Sequence, residues 1–281
     1  MSRRIRESLP LLPFFALVTI FLIVPTATVI VSAFFVDGVF SLARIEALFA
    51  GTALSALWKS VLLSASTAVI GAVLGAVLAW LIVSSPPTSV LRRAVISLCS
   101  VLAQFGGVAL AFAFLATIGL NGVLTLWVQE HFGWNLAGSG WLYSLTGLIL
   151  VYTYFQIPLM VIVFVPALEG LRDQWREAAV SLGASTFQYW RQVAVPLLTP
   201  AFLGSFLLLF ANAFAAYATA AALVSQGSPI LPLLIRAALT SEVVLGQSGF
   251  AYALALEMIV IVAAVMIAYN ALVRRTARWL Q

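Results

Sequence analysis

Long apolar runs fill most of the chain, and shorter polar segments separate them. Six runs reach the length of about 20 residues that an α-helix needs to cross the hydrocarbon core of a bilayer. These runs cover residues 11–35, 59–83, 95–119, 142–166, 199–224 and 250–273. At that depth backbone N–H and C=O groups must be paired within the chain, so each run is predicted to be a helix. The pattern predicts an all-α protein with six transmembrane helices.

The composition agrees with a location in a membrane. Of the 281 residues, 63% are hydrophobic and 8% are charged, whereas soluble domains average about 45–50% and about 25%. These values exclude a disordered chain and a cytosolic enzyme. We expect residues 1–281 to form a single transmembrane domain, from which residues 167–198 project as a polar insertion.

The first apolar run follows Arg3, Arg4 and Arg6, as the core of a secretory signal peptide would. Such a core has about 7–15 residues, and this run of about 25 is too long for one. The tripeptide Val31-Ser32-Ala33 faintly resembles a cleavage site. On length we interpret the run as a retained transmembrane helix.

The positions of the basic residues predict the orientation of the chain. The 14 Lys and Arg residues outnumber the acidic ones and give a net charge of +5. One side of a six-helix arrangement carries 11 of them: Arg3, Arg4, Arg6, Arg92, Arg93, Arg172, Arg176, Arg191, Arg274, Arg275 and Arg278. Only Arg44, Lys59 and Arg236 fall on the other side. Because Lys and Arg accumulate in cytoplasmic loops, both termini are predicted to be cytoplasmic, and no nucleic-acid partner is needed to explain the charge.

Residues that could support chemistry are scarce. Cys99 is the only cysteine and His131 the only histidine, so neither a thiolate cluster nor a histidine metal site is expected. The only lysine, Lys59, is far from any glycine pattern of the phosphate-binding type G-x-x-x-x-G-K-[ST]. We therefore predict no catalytic residue, no metal and no cofactor on this chain, and any nucleotide chemistry would belong to another protein.

Small side chains recur every four residues in the second run. Gly71 and Gly75 form G-x-x-x-G, which Thr67 and Ala79 extend at the same spacing. Such a face lets helix backbones approach each other closely, so it is predicted to pack against another helix.

The insertion at 167–198 predicts two short helices. Leu168–Leu182 has apolar residues at helical spacing and opposite charges three or four residues apart. The charged residues of these predicted pairs are Glu169, Arg172, Asp173 and Arg176.

A glycine and a capping box separate the two predicted helices. Gly183 is expected to end the first one. Ser185 and Gln188 have the spacing of a capping box, so a second helix is predicted to run to about Val195. Pro196 is expected to break or kink it before the fifth span.

One motif in this insertion resembles a known family. Glu177-Ala178-Ala179 is followed after three residues by Gly183 and, nine residues later, by Val193-Ala194-Val195-Pro196. This pattern resembles the EAA motif of permease subunits in binding-protein-dependent ABC importers. The family's usual ending is Ile-x-Leu-Pro, and valine at both aliphatic positions preserves its apolar character. The chain is most similar to the spermidine/putrescine-type permeases.

The resemblance implies a type I importer permease with MetI-like architecture in the inner or plasma membrane of a prokaryote. In that family the two helices of this insertion form a helical hairpin, which binds in a groove of a cytoplasmic ABC ATPase. The ATPase binds ATP and magnesium. An ATPase dimer carries two permease subunits, here this chain and a second one, and an extracytoplasmic solute-binding protein delivers the solute. The residues that the resemblance assigns to coupling are Glu177, Ala178, Ala179, Gly183, Ser185 and Pro196. Glu177 would supply a charged contact, and Gly183 the turn.

Polar residues within the apolar runs are candidates for a substrate path. Glu257 is an acid in the sixth run, where a charge costs about 2.5–3.5 kcal/mol. It either contacts a cationic substrate or gates the path, or it is hydrogen-bonded to a neighbouring helix. The further candidates are Gln156, Tyr154, Asn212 and Tyr217. Aromatic faces attract ammonium groups, which favours a small polar, cationic, polyamine-like solute. Related subgroups carry thiamine, ferric iron, phosphonates or sulfate, so the solute stays open.

Three other classes compete with the permease interpretation. A secondary transporter or channel without an ATPase would need broken helices or a charge network, for which Pro25, Pro158 and one acid are weak support. An intramembrane enzyme would need a nucleophile with a base, or metal ligands. A structural scaffold leaves the insertion unexplained. Co-purification of a nucleotide-binding subunit would separate all three from the permease.

Overall fold

The computed structural model describes residues 12–36, 39–49, 51–86, 88–138, 140–224, 230–240 and 248–277. Within these ranges the regular secondary structure is helical apart from one small β-hairpin, whose strands β1 (Phe35–Val36) and β2 (Val39–Phe40) pair antiparallel. The first helices are α1 (Leu12–Phe34), α2 (Ala43–Glu46), α3 (Gly51–Val83), α4 (Val90–Gln104), α5 (Gly107–Ile118) and α6 (Val123–Phe132). The remaining helices are α7 (Leu145–Glu169), α8 (Asp173–Ser181), α9 (Thr186–Ala215), α10 (Ala218–Leu223), α11 (Leu231–Thr240) and α12 (Ser248–Ala277).

Six stretches of the described chain are helical, long and apolar enough to cross a membrane. They are Leu12–Phe34, Gly51–Val83, Gly107–Phe132, Leu145–Glu169, Thr186–Ala215 and Gly249–Leu272. These stretches confirm the predicted fold class, an all-α protein with six transmembrane helices. The single-domain organisation and the cytoplasmic position of both termini stay predictions. Of the residues that predict this orientation, Arg3, Arg4, Arg6 and Arg278 lie outside the described ranges.

Two of the predicted spans are each divided into two helices, so the prediction of one continuous helix is wrong for them. The run 95–119 is divided, because α4 ends at Gln104 and α5 begins at Gly107. Gly107 has φ +71°, a left-handed conformation that interrupts a helix. The run 199–224 is divided where Ala216 and Tyr217 separate α9 from α10. Apolarity alone does not reveal such breaks, since it reports burial in lipid or protein and not backbone conformation.

Other predicted boundaries shift by several residues. The second span begins at Gly51, and Lys59 therefore lies inside α3. The fourth span continues to Glu169, into the segment predicted as a polar insertion. The connection between the third and fourth predicted runs, residues 120–141, contains α6, a helix of ten residues. Part of the connection between the fifth and sixth predicted runs, residues 225–249, lies outside the described ranges.

The small-residue face of α3 packs as predicted. Gly71 and Gly75 are buried against α7. A Cβ atom at Gly71 would lie 2.7 Å from the Cβ of Gln156. At Gly75 it would lie 2.8 Å from the carbonyl oxygen of Ile157. Both distances are shorter than van der Waals contact, so glycine is required for the two helices to pack this closely.

The chain divides into two compact units, the first formed by residues 1–56 and 234–260. In this unit the guanidinium of Arg44 closes the end of α1. Its Nη1 donates to the carbonyl oxygens of Ser32 and Phe35, both at 2.8 Å. Cations near a helix C-terminus satisfy its free carbonyls, which accounts for an arginine on the side where few are expected. A side chain at Gly249 would overlap this guanidinium.

The second unit consists of residues 57–233 and 261–281, and α7 runs through its core. One cluster of buried side chains joins α5, α7 and α10 around Leu110, Tyr152 and Leu223. The other joins α3, α4, α7 and α9 around Cys99 and Phe164. Because α7 contributes to both clusters, it is the element against which the other helices of this unit are positioned.

Candidate functional site

The hairpin, residues 170–196, begins later than predicted. We predicted a first helix over Leu168–Leu182, but α7 continues through Glu169 and α8 starts only at Asp173. Arg172 between them is extended, with φ −75° and ψ 132°. Asp173 in the first turn of α8 is favoured by the helix dipole, which accounts for a start at this residue.

The charge pairs predicted along this helix are also wrong. Glu169 forms an ion pair with Arg92, at the start of α4. The guanidinium of Arg172 lies 5.9 Å from the ring centroid of Trp175, at the distance of a cation–π contact. Asp173 and Arg176 have no ion-pair partner within the described ranges. Helical spacing alone predicts local pairs, and a partner from a distant segment replaces them here.

The corner of the hairpin forms as predicted at Gly183. This residue has φ +81°, and its N–H donates to the carbonyl of Val180 at 2.9 Å. The next N–H, that of Ala184, donates to the carbonyl of Ala179 at 2.9 Å. These two bonds form a Schellman motif, which satisfies the last carbonyls of α8 and requires a left-handed residue at this position.

The predicted capping box is confirmed. Ser185 Oγ accepts a hydrogen bond from the N–H of Gln188 at 3.2 Å, and Gln188 Oε1 accepts one from the N–H of Ser185 at 2.7 Å. The predicted second helix does not end at Pro196, since α9 continues from Thr186 to Ala215. A π-helical turn at Trp190–Ala194 directly precedes this proline. Its wider hydrogen-bond spacing accommodates the missing N–H of proline within a continuous helix.

The predicted coupling residues lie on the surface of the hairpin. Exposed side chains or backbone are found at Glu177, Ala178, Gly183, Ser185 and Pro196, and Ala179 is half-buried. The Glu177 carboxylate has no ion-pair partner within the described ranges. Leu182 is 88% exposed and Phe187 is 71% exposed, on either side of the glycine corner. Large apolar side chains exposed together on a polar segment mark a surface that binds another protein.

Gly183→Val is expected to destabilise the hairpin corner. No heavy atom lies within 4 Å of a Cβ placed there, so the effect arises from backbone strain alone. A β-branched residue in the left-handed region costs about 1–2 kcal/mol. We expect faster amide hydrogen exchange over α8 in the variant. Gly170→Ala is the matched control, because Gly170 has φ −70° and a right-handed conformation that alanine adopts freely. Equal exchange rates in both variants would contradict the assignment.

The second feature of the site is a cavity where the two helix breaks meet. It has a volume of about 260 Å³ and lies within the second compact unit. Its lining comprises Ala103, Gly106, Gly107, Phe155, Asn212, Ala215, Ala216, Tyr217, Ala218 and Thr219. Irregular backbone at membrane depth is tolerated where protein buries it or where it lines a cavity. The cavity is therefore a position at which a polar solute could contact backbone and uncharged side chains.

Hydrogen bonds across the cavity hold the breaks in place. Tyr152 Oη donates to the carbonyl oxygen of Ala216 at 2.7 Å. Thr219 Oγ1 donates to the carbonyl oxygen of Gly107 at 3.2 Å. Each bond joins one of the breaks to a different helix, so the two interruptions form one structural unit.

The structure brings only some of the predicted path residues together. Asn212 and Tyr217 line the cavity. Tyr154 does not, since it is exposed with its ring edge-on to Phe114, at a centroid distance of 5.8 Å. Gln156 is fully buried, and its Nε2 donates to the carbonyl of Leu209 at 2.8 Å. Neither residue lines the cavity, and Gln156 Oε1 has no hydrogen-bond partner among the described residues.

Glu257 lies on α12 in the first compact unit. Its Oε2 is buried and has no hydrogen-bond partner among the described residues. A hydrogen bond from a neighbouring helix to this oxygen, the alternative expected for Glu257, is therefore not observed.

The sequence analysis missed Gly106, Gly107 and Thr219 as lining residues of the cavity. Two adjacent glycines within an apolar run were the available signal, because glycine is destabilising inside a helix and often marks an interruption. Thr219 gives no comparable signal, since its role depends on a carbonyl 112 residues away in the chain.

Tyr152→Phe is expected to loosen the second break. The variant loses one part-buried hydrogen bond to the Ala216 carbonyl, at a cost of about 0.5–1.5 kcal/mol. We expect a lower midpoint of thermal unfolding in detergent. Tyr154→Phe is the matched control, because the Tyr154 hydroxyl has no hydrogen bond within the described ranges. An equal midpoint for the two variants would argue against the bond.

The fold is shared with solved permeases of type I ABC importers. A bacterial ABC transporter involved in the import of the acidic polysaccharide alginate aligns with a TM-score of 0.75. The alignment covers 94% of this chain and 93% of that chain at 16% identity. The MetNI methionine ABC transporter aligns with a TM-score of 0.58 over 79% and 95% of the two chains, also at 16% identity. The class of protein is therefore a polytopic membrane protein with the type I importer permease fold.

The family follows from the sequence match. The profile described as "Binding-protein-dependent transport system inner membrane component" matches residues 71–278, and the chain belongs to this family. This confirms the resemblance drawn from the EAA motif.

Curated relatives of this family differ in their named solutes. The sulfate transport system permease protein CysW of Escherichia coli K12 is 30% identical over 57% of this chain. The ferric transport system permease protein FbpB of Actinobacillus pleuropneumoniae is 22% identical over 73% of this chain and 29% of its own length. The thiamine transport system permease protein ThiP of Haemophilus influenzae is 25% identical over 45% of this chain and 23% of its own length. The match spans 52% of CysW, about half its length.

Proposed function

We propose that this chain is the membrane-spanning permease subunit of an ATP-driven ABC importer. Its hairpin couples the transmembrane helices to a separate cytoplasmic ATPase dimer, which binds ATP and magnesium. The observation that carries this proposal is the exposed, rigidly cornered hairpin with an EAA motif, in a chain of the binding-protein-dependent family. No residue of this chain is assigned a hydrolytic role.

The hairpin has the properties that a force-transmitting contact needs. The Schellman motif and the capping box fix the angle between α8 and α9 through four hydrogen bonds. Leu182 and Phe187 provide apolar contact area at the tip. Glu177 provides a charge that a basic residue of the ATPase can pair with. Since α9 continues into the membrane as one helix, a displacement of the tip is transmitted along it.

The partners follow from the family. The complex contains a second permease subunit, and an extracytoplasmic solute-binding protein delivers the solute. Both termini face the cytoplasm, as the distribution of Lys and Arg predicts. The location is the inner or plasma membrane of a prokaryote.

The solute passes the cavity at the helix breaks, where Asn212 and Tyr217 contact it. We propose a small polar solute of the cationic, polyamine-like class. Support for a cation comes from Glu257, an acid within a transmembrane helix whose Oε2 has no hydrogen-bond partner among the described residues.

The proposal is tested by expressing the chain with its genomic neighbours and purifying it from membranes through a tag. We expect an ATPase and a second permease to co-purify, and ATP-dependent uptake into proteoliposomes of radiolabelled putrescine but not sulfate. Uptake that persists without the ATPase would favour a secondary transporter or channel. Uptake of sulfate instead of putrescine would overturn the cationic class and leave the importer assignment intact.

A further inference from the structure

An ion pair lies where the hairpin leaves the membrane helices. Arg92 Nη2 donates to Glu169 Oε1, and Arg92 Nη1 donates to the carbonyl oxygen of Ser85 at 3.2 Å. The Arg92 side chain is 10% exposed and the Glu169 side chain is 48% exposed. Arg92 thus joins three segments: the turn after α3, the start of α4 and the end of α7.

Neither charge stabilises its own helix. Arg92 is the third residue of α4, near the positive end of the helix dipole, where a cation is disfavoured. Glu169 is the last residue of α7, near the negative end, where an anion is disfavoured. The stability of the individual helices therefore does not explain why these two positions carry charged residues. In the ion pair, the Glu169 carboxylate offsets the positive end of the α4 dipole, and the Arg92 guanidinium offsets the negative end of the α7 dipole. The pair therefore favours one relative position of α4 and α7.

The pair connects the hairpin with the cavity. Glu169 directly precedes residues 170–172, which lead from α7 into α8. On the other side, α4 runs from Arg92 to the break at residues 105–106, and Ala103 on α4 lines the cavity. Cys99 on α4 and Phe164 on α7 belong to the same buried cluster. Tight packing between these helices means that they move together while the pair is intact.

We propose that Arg92 and Glu169 are positioning residues that link movement of the hairpin to α4, and through α4 to the cavity at the helix breaks. This inference rests on the proposed function, because it requires an ATPase that moves the hairpin. The pair does not contact the solute or the nucleotide. When the ion pair is absent, the hairpin still binds the ATPase, but its displacement changes the cavity less.

The test measures access to the cavity in the purified complex with its ATPase and second permease. Cys99 is the only cysteine of the chain, so Cys99→Ala with Ala103→Cys places one thiol of this chain at the cavity wall. The rate of labelling of this thiol by N-ethylmaleimide is measured without nucleotide and after trapping with ATP and vanadate. The difference between the two rates reports the response of the cavity to the ATPase.

Glu169→Gln is the main variant, because the side chain is half-exposed and glutamine keeps its size. We expect the labelling response to fall by about fivefold, the change in an equilibrium that loss of one partly exposed ion pair produces. Vanadate-trapped nucleotide should stay at the level of the parent. The exchanged pair, Arg92→Glu with Glu169→Arg, should restore the response. Arg93→Glu is the control, since the exposed Arg93 side chain has no partner within the described ranges.

An unchanged response in Glu169→Gln would overturn the inference, and so would an equal loss of response in Arg93→Glu. If the ion pair had only a structural role, Glu169→Gln would lower the yield of the complex. The difference in labelling rate between the nucleotide-free and the trapped complex would then stay as in the parent. If the parent itself shows no response and no ATPase co-purifies, the proposed function fails, which is a different result from loss of the response in the variant alone.

Discussion

Gly75→Leu should prevent α3 from packing against α7. The first carbon of the new side chain would lie 2.8 Å from the carbonyl oxygen of Ile157 and 2.5 Å from the Cβ of Met160. Neither atom is the flexible end of a side chain, so the helices must separate. Overpacking of this kind typically costs about 1–3 kcal/mol, and we expect the upper end of that range or more. The free energy of unfolding in detergent, followed by tryptophan fluorescence, measures the loss.

Val73→Leu is the control for this prediction. Val73 lies on the same helix two residues earlier and is exposed on the face away from the buried glycines. Leucine there enlarges a side chain without meeting another helix. We expect a free energy of unfolding within about 0.5 kcal/mol of the parent. If Gly75→Leu were as stable as Val73→Leu, the close packing of α3 on α7 would be wrong.

Glu177→Lys should weaken binding of the ATPase to the hairpin and uncouple ATP hydrolysis from uptake, while membrane insertion is unchanged. Glu177 is exposed on α8 and has no ion-pair partner within the described ranges, so its replacement breaks no observed contact of this chain. Like charges that face each other across an interface cost several kcal/mol, which corresponds to about a hundredfold weaker binding. Co-purification of the ATPase and ATP-dependent uptake of putrescine are the measurements.

Glu130→Lys is the matched control for the charge reversal. Glu130 is exposed on α6, in the segment predicted to face the other side of the membrane. The same change in charge there should leave ATPase binding and uptake at the level of the parent. Loss of uptake in both variants would point to a general effect of charge, and full uptake in Glu177→Lys would remove Glu177 from the coupling contact.

The sequence predicts the fold class and the corner of the hairpin because both depend on local properties. A membrane helix requires a long apolar run whatever its neighbours are, so length and composition identify it. Gly183 and the Ser185–Gln188 capping box act through hydrogen bonds within five residues of each other. Such features are encoded where they occur, and the structure confirms them.

The second helix break and the ion pair of Glu169 depend on contacts between distant residues. The bond from Tyr152 to Ala216 joins residues 64 positions apart, and the Arg92–Glu169 pair joins residues 77 positions apart. Local spacing therefore predicted charge pairs along the first helix of the insertion and an uninterrupted fifth span. For the same reason, Gln156 and Tyr154 resemble path residues in the sequence although the cavity lies elsewhere.

The coupling role of the hairpin is tested most directly by photocross-linking in native membranes. A benzoylphenylalanine probe replaces Leu182, which is 88% exposed beside the glycine corner. The same probe at Trp134, which is 74% exposed on the side predicted to be external, serves as the reference. We predict a covalent product between the chain and an ATPase from position 182 and none from position 134. An ATPase product from neither position, in membranes where the ATPase is present, would contradict the account.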